Sequence, residues 1–316
     1  MNAKVLCRTA NLDRAGWLAA RKAGVGGSEI AAVAGVSRYS NAAKVYHDKI
    51  SDVIDTPENE AMYWGNKLED VVAKEFAERT GMKIRKVNAI LQHPEYPWML
   101  ANLDRLIVGK PEMILECKTA GAYAAKDWEG GATPDAYRLQ VLWYMAVTGL
   151  QKAHIAALIG GQQFITREIE RDEEIIGYLI KIGADFWQMV QDRQMPAVDG
   201  SDASTDLINL LYPVGTDNEL LTLPDEAMLL CNTYQEASAA EKAAVARKKE
   251  ASNALKALMG ERVTAKAGDY TVRWSNVNTC RLDQEALKEE MPDVFNGFLK
   301  TSPSRRLTIT TPKAAA

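Results

Sequence analysis

The chain is poor in the residues that build soft-metal centres and disulfide frameworks. Its four cysteines and three histidines are widely separated, and no two cysteines form a Cys-x-x-Cys pair. This spacing argues against a zinc site, an iron–sulfur cluster and a set of disulfide bonds. A zincin motif or a histidine-rich metal cage is equally excluded. We therefore expect reduced thiols and structural histidines.

The sequence also lacks long apolar runs and an excess of positive charge. No run approaches the ~20 apolar residues of a membrane span, and the opening Met-Asn-Ala-Lys-Val-Leu is too short for the apolar region of a signal peptide. We expect a cytoplasmic protein without membrane contact. The formal net charge of −4 gives no global signature of nucleic-acid binding, so a DNA channel would have to be local.

Two apolar runs around a Gly-Lys-Pro turn occupy residues 103–119 and contain Asp104, Glu116 and Lys118. If the turn centres on Lys110, antiparallel pairing places residue i opposite residue 220 − i. Asp104 then faces Glu116, with Cβ atoms about 5 Å apart. Two carboxylates this close require a cation.

The alternation of side chains along a strand places Glu116 and Lys118 on one face and turns Cys117 into the apolar layer. An isolated acid-x-lysine pair is usually a pair of solvated charges on a hairpin. Here an acid, Glu69, lies on the preceding helix, and polar residues lie on the following one, where Tyr137, Gln140 and Tyr144 share a face. This context favours a metal-dependent nuclease site.

Periodicity and capping signals predict an α/β fold, a mixed sheet flanked by helices. The longest early helix ends at Arg79, is closed by Gly81, and has Glu69 beside its apolar stripe of Trp64, Leu68, Val71, Val72 and Phe76. The other predicted helices are Asp13–Ala23, one opening at Ser28 as N-cap, Asn41–Ile50 before a polar loop Ser51–Pro57, one from Pro134 with Thr133 as cap to Gly149, and Asp172–Gln194. The predicted strands are Lys83–Leu91, Leu100–Val108, Met113–Lys118, His154–Ile159 and Gln163–Ile169.

The composition changes after residue 195, which predicts two domains. Residues 1–195 form the first, 196–222 a linker with an apolar anchor at Leu207–Tyr212, and 223–316 a C-terminal region. That region should contain a long helix, Pro224–Met259, a hairpin around Gly268-Asp269, helices Asp283–Glu290 and Pro292–Leu299, and a strand Arg306–Thr311. We expect it to serve oligomerisation or contact with a partner or DNA; a solvated helix packed on its own hairpin is the alternative.

Residues 12–195 resemble the YqaJ-type viral recombinase nucleases, the lambda-exonuclease-like branch of the PD-(D/E)xK superfamily. The resemblance rests on motifs in the family's order: Trp17-Leu-x-x-Arg21, Gly24-Val-Gly-Gly-Ser28-Glu-Ile-Ala-Ala, Gly65-x-x-x-Glu69, Leu103-Asp104, Glu116-Cys-Lys118 and Tyr137-x-x-Gln140-x-x-x-Tyr-Met. The usual Pro-Asp is Leu103-Asp104 here, which leaves the carboxylate in place. The resemblance implies a restriction-endonuclease-like core, to which the C-terminal region is an extension.

A hard cation such as Mg²⁺, for which Mn²⁺ should substitute, suits Asp104, Glu116 and the Cys117 carbonyl. Lys118 can hold and activate the attacking water. The resemblance adds Glu69 as an outlying acid at the metal, and Gln140 and Tyr137 as residues that position nucleophile and substrate. The alternatives are a helix-surface glutamate and partly buried polar groups.

The resemblance also implies a pocket for a terminal 5′-phosphate. Arg21 would provide a guanidinium fork, and Ser28 and nearby amides would lie at a helix N-terminus, a natural anion site. Gly27, with Gly26, would let the backbone approach the phosphate closely. A plain helix cap is the alternative role for Ser28.

We therefore expect a Mg²⁺-dependent 5′→3′ exonuclease on linear double-stranded DNA that leaves 3′ tails for recombination with a single-strand annealing protein. The polarity, the tails, the annealing partner, a homo-oligomer (a ring is possible) and a phage or prophage origin in a bacterial host come from the resemblance. A structure-specific endonuclease on the same core is one alternative. A non-catalytic module that binds DNA ends or a partner is another.

Overall fold

The computed structural model describes residues 1–52, 59–215, 219–300 and 304–310. The chain divides into two compact units, Met1–Leu211 and Tyr212–Ala316. Most of the predicted polar loop Ser51–Pro57 and the end of the predicted strand at Thr311 lie outside the described residues. None of the described helices combines the length and apolar character needed to span a bilayer.

The first unit has the predicted α/β fold with helices flanking a mixed sheet, but it contains two sheets where the sequence predicted one. Its helices are α1 (Arg14–Arg21), α2 (Gly27–Val33), α3 (Ala42–Ile50), α4 (Glu60–Thr80), α5 (Asp135–Thr148), α6 (Glu173–Gln191) and α7 (Asp202–Leu211), with 3₁₀ turns in Ala122–Gly131. Its strands are β1 (Lys4–Arg8), β2 (Val25–Gly26), β3 (Ile84–Lys86), β4 (Ala89–Gln92), β5 (Met99–Ala101), β6 (Arg105–Ile107), β7 (Met113–Ala120), β8 (Lys152–Ile159) and β9 (Gln163–Glu170).

One sheet has the strand order β3-β6-β7-β8-β9 and the other β1-β4-β5-β2. In the five-stranded sheet, β7 and β8 are parallel and the other pairs are antiparallel. Helix α5 connects β7 to β8 and contacts strands of both sheets. Each residue from Gln140 to Thr148 is buried. The centre of α5 is therefore the core of the unit, and a polar residue there requires a partner.

The predicted register of the β6–β7 hairpin is confirmed. Arg105 pairs with Leu115, Leu106 with Ile114, and Ile107 with Met113, so each pair sums to 220. Asp104, directly before β6, continues this register toward Glu116. The turn contains a cis peptide bond at Lys110-Pro111.

Two predicted strands are each broken in the structure. Lys83–Leu91 becomes β3 and β4, and Leu100–Val108 becomes β5 and β6. In both cases the two pieces belong to different sheets. Because β4, β5 and β6 are all largely buried, the sequence pattern does not show which sheet each of them belongs to and so does not indicate the breaks. Asp104 lies in the second break, where the chain changes sheets.

The buried stripe of α4 differs from the prediction. Trp64 and Val71 are more than half exposed, whereas Val72, Ala73 and Phe76 are buried. Alanine contributes little to an apolar pattern, so the pattern predicts the wrong side of the helix as the face that packs on β7 and β8. The corrected stripe brings the half-buried Glu69 onto the packed face, next to the sheet.

Two predicted N-caps are wrong by one or two residues. Helix α2 begins at Gly27 with Gly26 as its N-cap, so Ser28 lies inside the first turn. Glu29 accepts a hydrogen bond from the Gly26 N–H at 2.8 Å and so replaces the expected serine cap. Helix α5 begins after Pro134, whose extended ψ of 130° makes it the cap residue in place of Thr133.

Helix α7 extends the first unit beyond the predicted boundary at residue 195. Asn41 Nδ2 donates to Ser201 Oγ at 2.8 Å and to Ser204 Oγ at 2.7 Å, and Leu207 is buried. Residues 196–211 of the predicted linker are therefore part of the first unit.

The second unit contains the predicted long helix and hairpin: α8 (Glu226–Met259), β10 (Thr264–Ala267) and β11 (Tyr270–Arg273), followed by α9 (Gln284–Glu290) and α10 (Pro292–Gly297). Along α8, Met259 is buried and most other side chains are exposed. The predicted strand Arg306–Thr311 is wrong over its described part, since residues 304–310 have no regular structure.

Candidate functional site

Asp104 and Glu116, the predicted acidic pair, lie on the β6–β7 hairpin of the five-stranded sheet. Asp104 precedes β6, and its Oδ2 accepts a hydrogen bond from the main-chain N–H of Cys117 at 2.8 Å. This bond fixes Asp104 against β7, the strand that carries Glu116. The arrangement follows from the hairpin register, which brings the end of β6 to the middle of β7.

Glu116 and Lys118 share a face of β7, as predicted. Lys118 Nζ lies 2.7 Å from Glu116 Oε1, while Cys117 packs in an apolar cluster with Val72 and Phe76 of α4. Glu116 is 2% exposed. Its second oxygen, Oε2, is buried and has no hydrogen-bond partner among the described residues.

The predicted polar face of α5 closes over this pair. Gln140 Nε2 donates to Glu116 Oε1 at 2.6 Å and to the Tyr144 hydroxyl at 2.9 Å, and Gln140 Oε1 accepts from Lys118 Nζ at 2.9 Å. Lys118 Nζ also lies 4.9 Å from the centre of the Tyr137 ring. The structure thus brings together Tyr137, Gln140, Glu116 and Lys118.

Glu69 reaches the same region from α4 but is engaged by a residue that sequence reasoning missed. The guanidinium of Arg105 bonds the carboxylates of Glu69 and Asp70 and the main-chain carbonyl of Asp104. Arg105 is 4% exposed. The sequence did contain a signal for this contact, since Arg105 stands in a predicted apolar strand. A charge buried with such a strand needs acidic partners.

The pKa values of Asp104 and Glu116 are both raised. Burial raises the pKa of Asp104 well above its ordinary value, and the charges of Glu116 and Glu69 raise it further. Burial also raises the pKa of Glu116, although Lys118 acts in the opposite direction. Lys118 itself keeps a raised pKa, because the attraction of Glu116 and Asp104 exceeds the effect of burial. The site therefore holds concentrated negative charge that a cation would relieve.

The donor set fits a hard divalent cation. Asp104, Glu116 and Glu69 offer oxygen ligands, and the buried Glu116 Oε2 lacks a protein donor among the described residues. No group of three or more His, Cys, Asp or Glu side chains within the described ranges is arranged to enclose an ion. A cation bound by few protein ligands and several waters, the usual coordination of Mg²⁺, agrees with both observations.

A polar cleft of about 360 Å³ adjoins the acids. Asp104 and Glu69 line it, together with Arg14, Trp17, Lys86, Asn102 and Arg105. Small-molecule sites have volumes of roughly 300–1,000 Å³. The cleft is therefore large enough for a polar ligand, such as part of a nucleotide, beside the acids.

The predicted phosphate-binding residues form a second cluster. Arg21 Nη2 donates to Ser28 Oγ at 2.9 Å, and the guanidinium carbon lies 4.7 Å from the centre of the Trp17 ring. Gly27 packs against Tyr144, since a Cβ at Gly27 would lie 2.3 Å from Tyr144 Cε1. Tyr144 thus connects this cluster to Gln140.

Tyr144, Glu29 and Lys49 are further members of this region that sequence reasoning did not assign. Tyr144 was indicated by its helical spacing from Gln140. Glu29 stands at the third position of α2, typical of a glutamate that bonds the N-cap amide. Lys49 gave no signal, because its neighbour Glu29 is distant in the sequence.

The fold and the site define the class of the chain: a mixed sheet whose central strand presents Glu116 and Lys118 beside Asp104, as expected for a PD-(D/E)xK-type core. Residues 16–151 match the family model of the YqaJ-like viral recombinase domain. The uncharacterized protein YqaJ of Bacillus subtilis (strain 168) is 37% identical over 311 residues, 97% of this chain and 97% of that protein. The chain belongs to the YqaJ-like viral recombinase family.

Solved structures with a partly similar chain trace include two exonucleases. An alkaline exonuclease (LHK-Exo) from Laribacter hongkongensis is 21% identical with a TM-score of 0.49, over 56% of this chain and 93% of that chain. A phage related exonuclease from Haemophilus somnus 129PT is 13% identical with a TM-score of 0.43, over 54% of this chain and 96% of that chain.

Proposed function

We propose that this protein is a metal-dependent nuclease that acts on DNA in phage-type recombination. The observation that carries the proposal is the buried acid pair Asp104 and Glu116 with Lys118 hydrogen-bonded on the same face. Burying two neighbouring carboxylates is costly even though Lys118 pairs with Glu116, and this cost suggests a role beyond stability. Membership of a viral recombinase family supports the recombination context.

Asp104, Glu116 and the Cys117 carbonyl would hold the cation, with Glu69 at its edge. A divalent cation bound there supplies charge neutralisation at the scissile phosphate and acidifies the attacking water. Lys118 keeps its proton at neutral pH, because its pKa is raised, and so acts as a fixed positive charge beside the water. Gln140 orients Glu116 and Lys118, and Tyr137, whose ring lies against Lys118 Nζ, would help to position the substrate.

More specifically, we propose that the enzyme is a Mg²⁺-dependent exonuclease that degrades one strand of linear duplex DNA in the 5′→3′ direction. Mn²⁺ would substitute for Mg²⁺. The 3′ tails would pass to a single-strand annealing protein. Support for end recognition comes from the cluster of Arg21, Ser28 and Gly27. Gly27 packs on Tyr144, and the Tyr144 hydroxyl accepts a hydrogen bond from Gln140, so this cluster adjoins the acids.

The test is Mg²⁺-dependent nucleotide release from three DNAs: linear duplex with a 5′-phosphate, the same duplex with a 5′-hydroxyl, and closed circular DNA. Wild type is compared with Lys118→Ala, and Lys181→Ala on α6 is the matched control. We expect digestion of linear DNA only, fastest from the phosphorylated end, a loss of about 10²–10³-fold in Lys118→Ala, and wild-type rates in the control.

Other outcomes would assign other functions. Cutting of the circle would indicate an endonuclease on the same core. Absence of hydrolysis with either Mg²⁺ or Mn²⁺, with retained binding to DNA ends, would indicate a non-catalytic module. Labelling the 5′ and 3′ ends separately determines the polarity.

We also propose that the protein is a homo-oligomer and that its C-terminal unit serves assembly or partner binding. The exposed α8 supports this role, because a helix of about 50 Å with little buried surface is rarely stable alone. Light scattering of the full chain and of a chain ending at Leu221 gives the test. Fewer subunits per particle with unchanged hydrolysis would assign the unit to assembly, whereas an unchanged number of subunits would exclude that role.

A further inference from the structure

Glu29 accepts more hydrogen bonds than a helix cap needs. Its Oε2 accepts from the Gly26 N–H at 2.8 Å, which is the capping contact. Its two oxygens also accept from Lys49 Nζ at 2.9 and 2.8 Å, and Oε1 accepts from Arg21 Nη2 at 2.9 Å. Two cations from α1 and α3 therefore converge on one carboxylate in the first turn of α2.

Lys49 is a costly element of this cluster. Its side chain is 3% exposed and that of Glu29 is 18% exposed. Nζ of Lys49 donates in addition to the main-chain carbonyl of Arg21 at 2.8 Å. Burying an ammonium group costs several kcal/mol unless it is paired. A cap alone would not need such a group, so the lysine must serve the carboxylate or the arginine.

The protonation states agree with a charged network. Burial alone would raise the pKa of Glu29, but Arg21, Lys49 and the Gly26 amide lower it overall. Burial lowers the pKa of Lys49, and Glu29 opposes this effect. With one carboxylate and two cations, the cluster carries a net charge of +1, which is the charge that Arg21 would carry alone.

The contacts fix the guanidinium of Arg21 and leave one side of it open. Nη2 bonds Ser28 and Glu29, and the group stacks on Trp17. Within the described ranges, no hydrogen bond engages Nη1 or Nε. The side chain is 22% exposed. The guanidinium is thus held at one nitrogen and one face, with its remaining donors available to an anion.

We propose that Glu29, compensated by Lys49, is a positioning residue that orients Arg21 toward the terminal 5′-phosphate and so sets the preference for phosphorylated DNA ends. This inference rests on the proposed function. Glu29 by itself would repel a phosphate, and Lys49 cancels that repulsion. The pair therefore provides orientation without changing the net charge of the pocket.

This balance permits a test that separates orientation from charge. Glu29→Gln raises the net charge to +2, whereas Glu29→Gln with Lys49→Met returns it to +1 and leaves no buried ammonium without its carboxylate. If charge alone governed recognition, the single variant would prefer phosphorylated ends more strongly than wild type and the double variant would equal wild type. If orientation governs it, both variants lose preference.

The experiment measures kcat and KM on linear duplexes with a 5′-phosphate or a 5′-hydroxyl for wild type, both variants and Arg21→Ala. Glu75→Gln, which breaks the exposed pair with Arg79 on α4, is the matched control. We expect the phosphate preference in kcat/KM to fall by about tenfold in the double variant, a change of about 1.4 kcal/mol, through KM, with kcat on 5′-hydroxyl ends unchanged. Arg21→Ala should abolish the preference.

Binding of the two duplexes by fluorescence anisotropy in EDTA provides a readout without catalysis. A preference that the double variant loses there supports the inference even if no hydrolysis occurs and the nuclease proposal fails. Conversely, three results would overturn the inference while nuclease activity stands: a wild type indifferent to the 5′-phosphate, a preference unchanged in the double variant, or equal losses on both duplexes with an unchanged circular dichroism spectrum.

Discussion

The side chain of Gln140 donates a 2.6 Å hydrogen bond to the buried Oε1 of Glu116. The same amide accepts from Lys118, so a helix residue holds the acid and the lysine of one strand in a fixed arrangement. Since Oε1 is engaged, Oε2 is the oxygen that remains for a ligand. The orientation of Glu116 therefore depends on α5 as well as on β7.

Replacing Gln140 by Leu should impair catalysis without unfolding the protein. The leucine fills similar space but removes the hydrogen bonds to Glu116, Lys118 and Tyr144, so Glu116 and Lys118 lose their common partner. Groups that orient metal ligands typically contribute about 10–100-fold in activity or metal affinity, and we expect a loss in that range on linear duplex DNA. Gln188→Leu on α6, whose amide bonds the exposed Asp192, is the control. Wild-type kcat and metal dependence in Gln140→Leu would contradict this interpretation.

Divalent cations should stabilise the wild-type protein and not Asp104→Asn. At about 100 times the Kd, a ligand that binds only the folded state adds about 2.7 kcal/mol. In EDTA, Asp104→Asn should be at least as stable as wild type, because it removes one of three mutually repelling acids while an amide oxygen can still accept from Cys117. The measurement is Tm with Mg²⁺, Mn²⁺ or EDTA.

Glu75→Gln is the control for this experiment, because Glu75 lies on the same helix as Glu69 but pairs with the exposed Arg79 at 2.6 Å. It should keep the full cation-dependent rise in Tm. An equal rise in wild type and Asp104→Asn would place the cation elsewhere.

The local geometry of the site could be predicted from the sequence. A short turn fixes the hairpin register, and the two-residue period fixes the faces of β7, so the positions of Asp104, Glu116 and Lys118 follow from neighbours within about a dozen residues. The face of α5 with Gln140 follows in the same way from helical spacing.

What the sequence could not indicate depends on tertiary contacts. The change of sheets at residues 102–104 could not be predicted, because the buried strands on either side of it look alike whichever sheet they belong to. Helical periodicity shows Glu69 only as an acid beside the apolar stripe of α4. The contact that holds it comes from Arg105, 36 residues away in the sequence. The same is true of Lys49, which reaches Glu29 from another helix.

Gly27→Ala should destabilise the protein because of its contact with Tyr144. The added Cβ would lie 2.3 Å from Tyr144 Cε1, and overpacking of a core typically costs about 1–3 kcal/mol. Gly177→Ala is the control, since a Cβ there meets nothing within 4 Å and should stabilise α6 by about 0.5–1 kcal/mol. Urea unfolding measures both. Tyr144→Leu should reduce the cost of Gly27→Ala in a double-mutant cycle; additive free energies would show that the two residues do not interact.

His154 should make the protein less stable as the pH falls below 6.5. The imidazole is buried beside Phe76, with ring centres 5.3 Å apart, and Nε2 lies 3.4 Å from Glu168 Oε2. Burial lowers the pKa of His154 from 6.5 by more than the charge of Glu168 raises it, and Lys152 lowers it further. The neutral imidazole is therefore retained in the folded state to a lower pH than in the unfolded chain.

Between that folded-state pKa and 6.5 the unfolded chain binds more protons, so the free energy of unfolding decreases as the pH falls through this window. His154→Phe removes the titration and should give a flatter dependence of urea stability between about pH 7.5 and 5. Burial also lowers the pKa of His93, but its contribution is common to both proteins and cancels in the difference between the two curves. Parallel curves would mean that the ion pair with Glu168 compensates the burial of His154 in full, and that the imidazole is charged in the folded state at the same pH as in the unfolded chain.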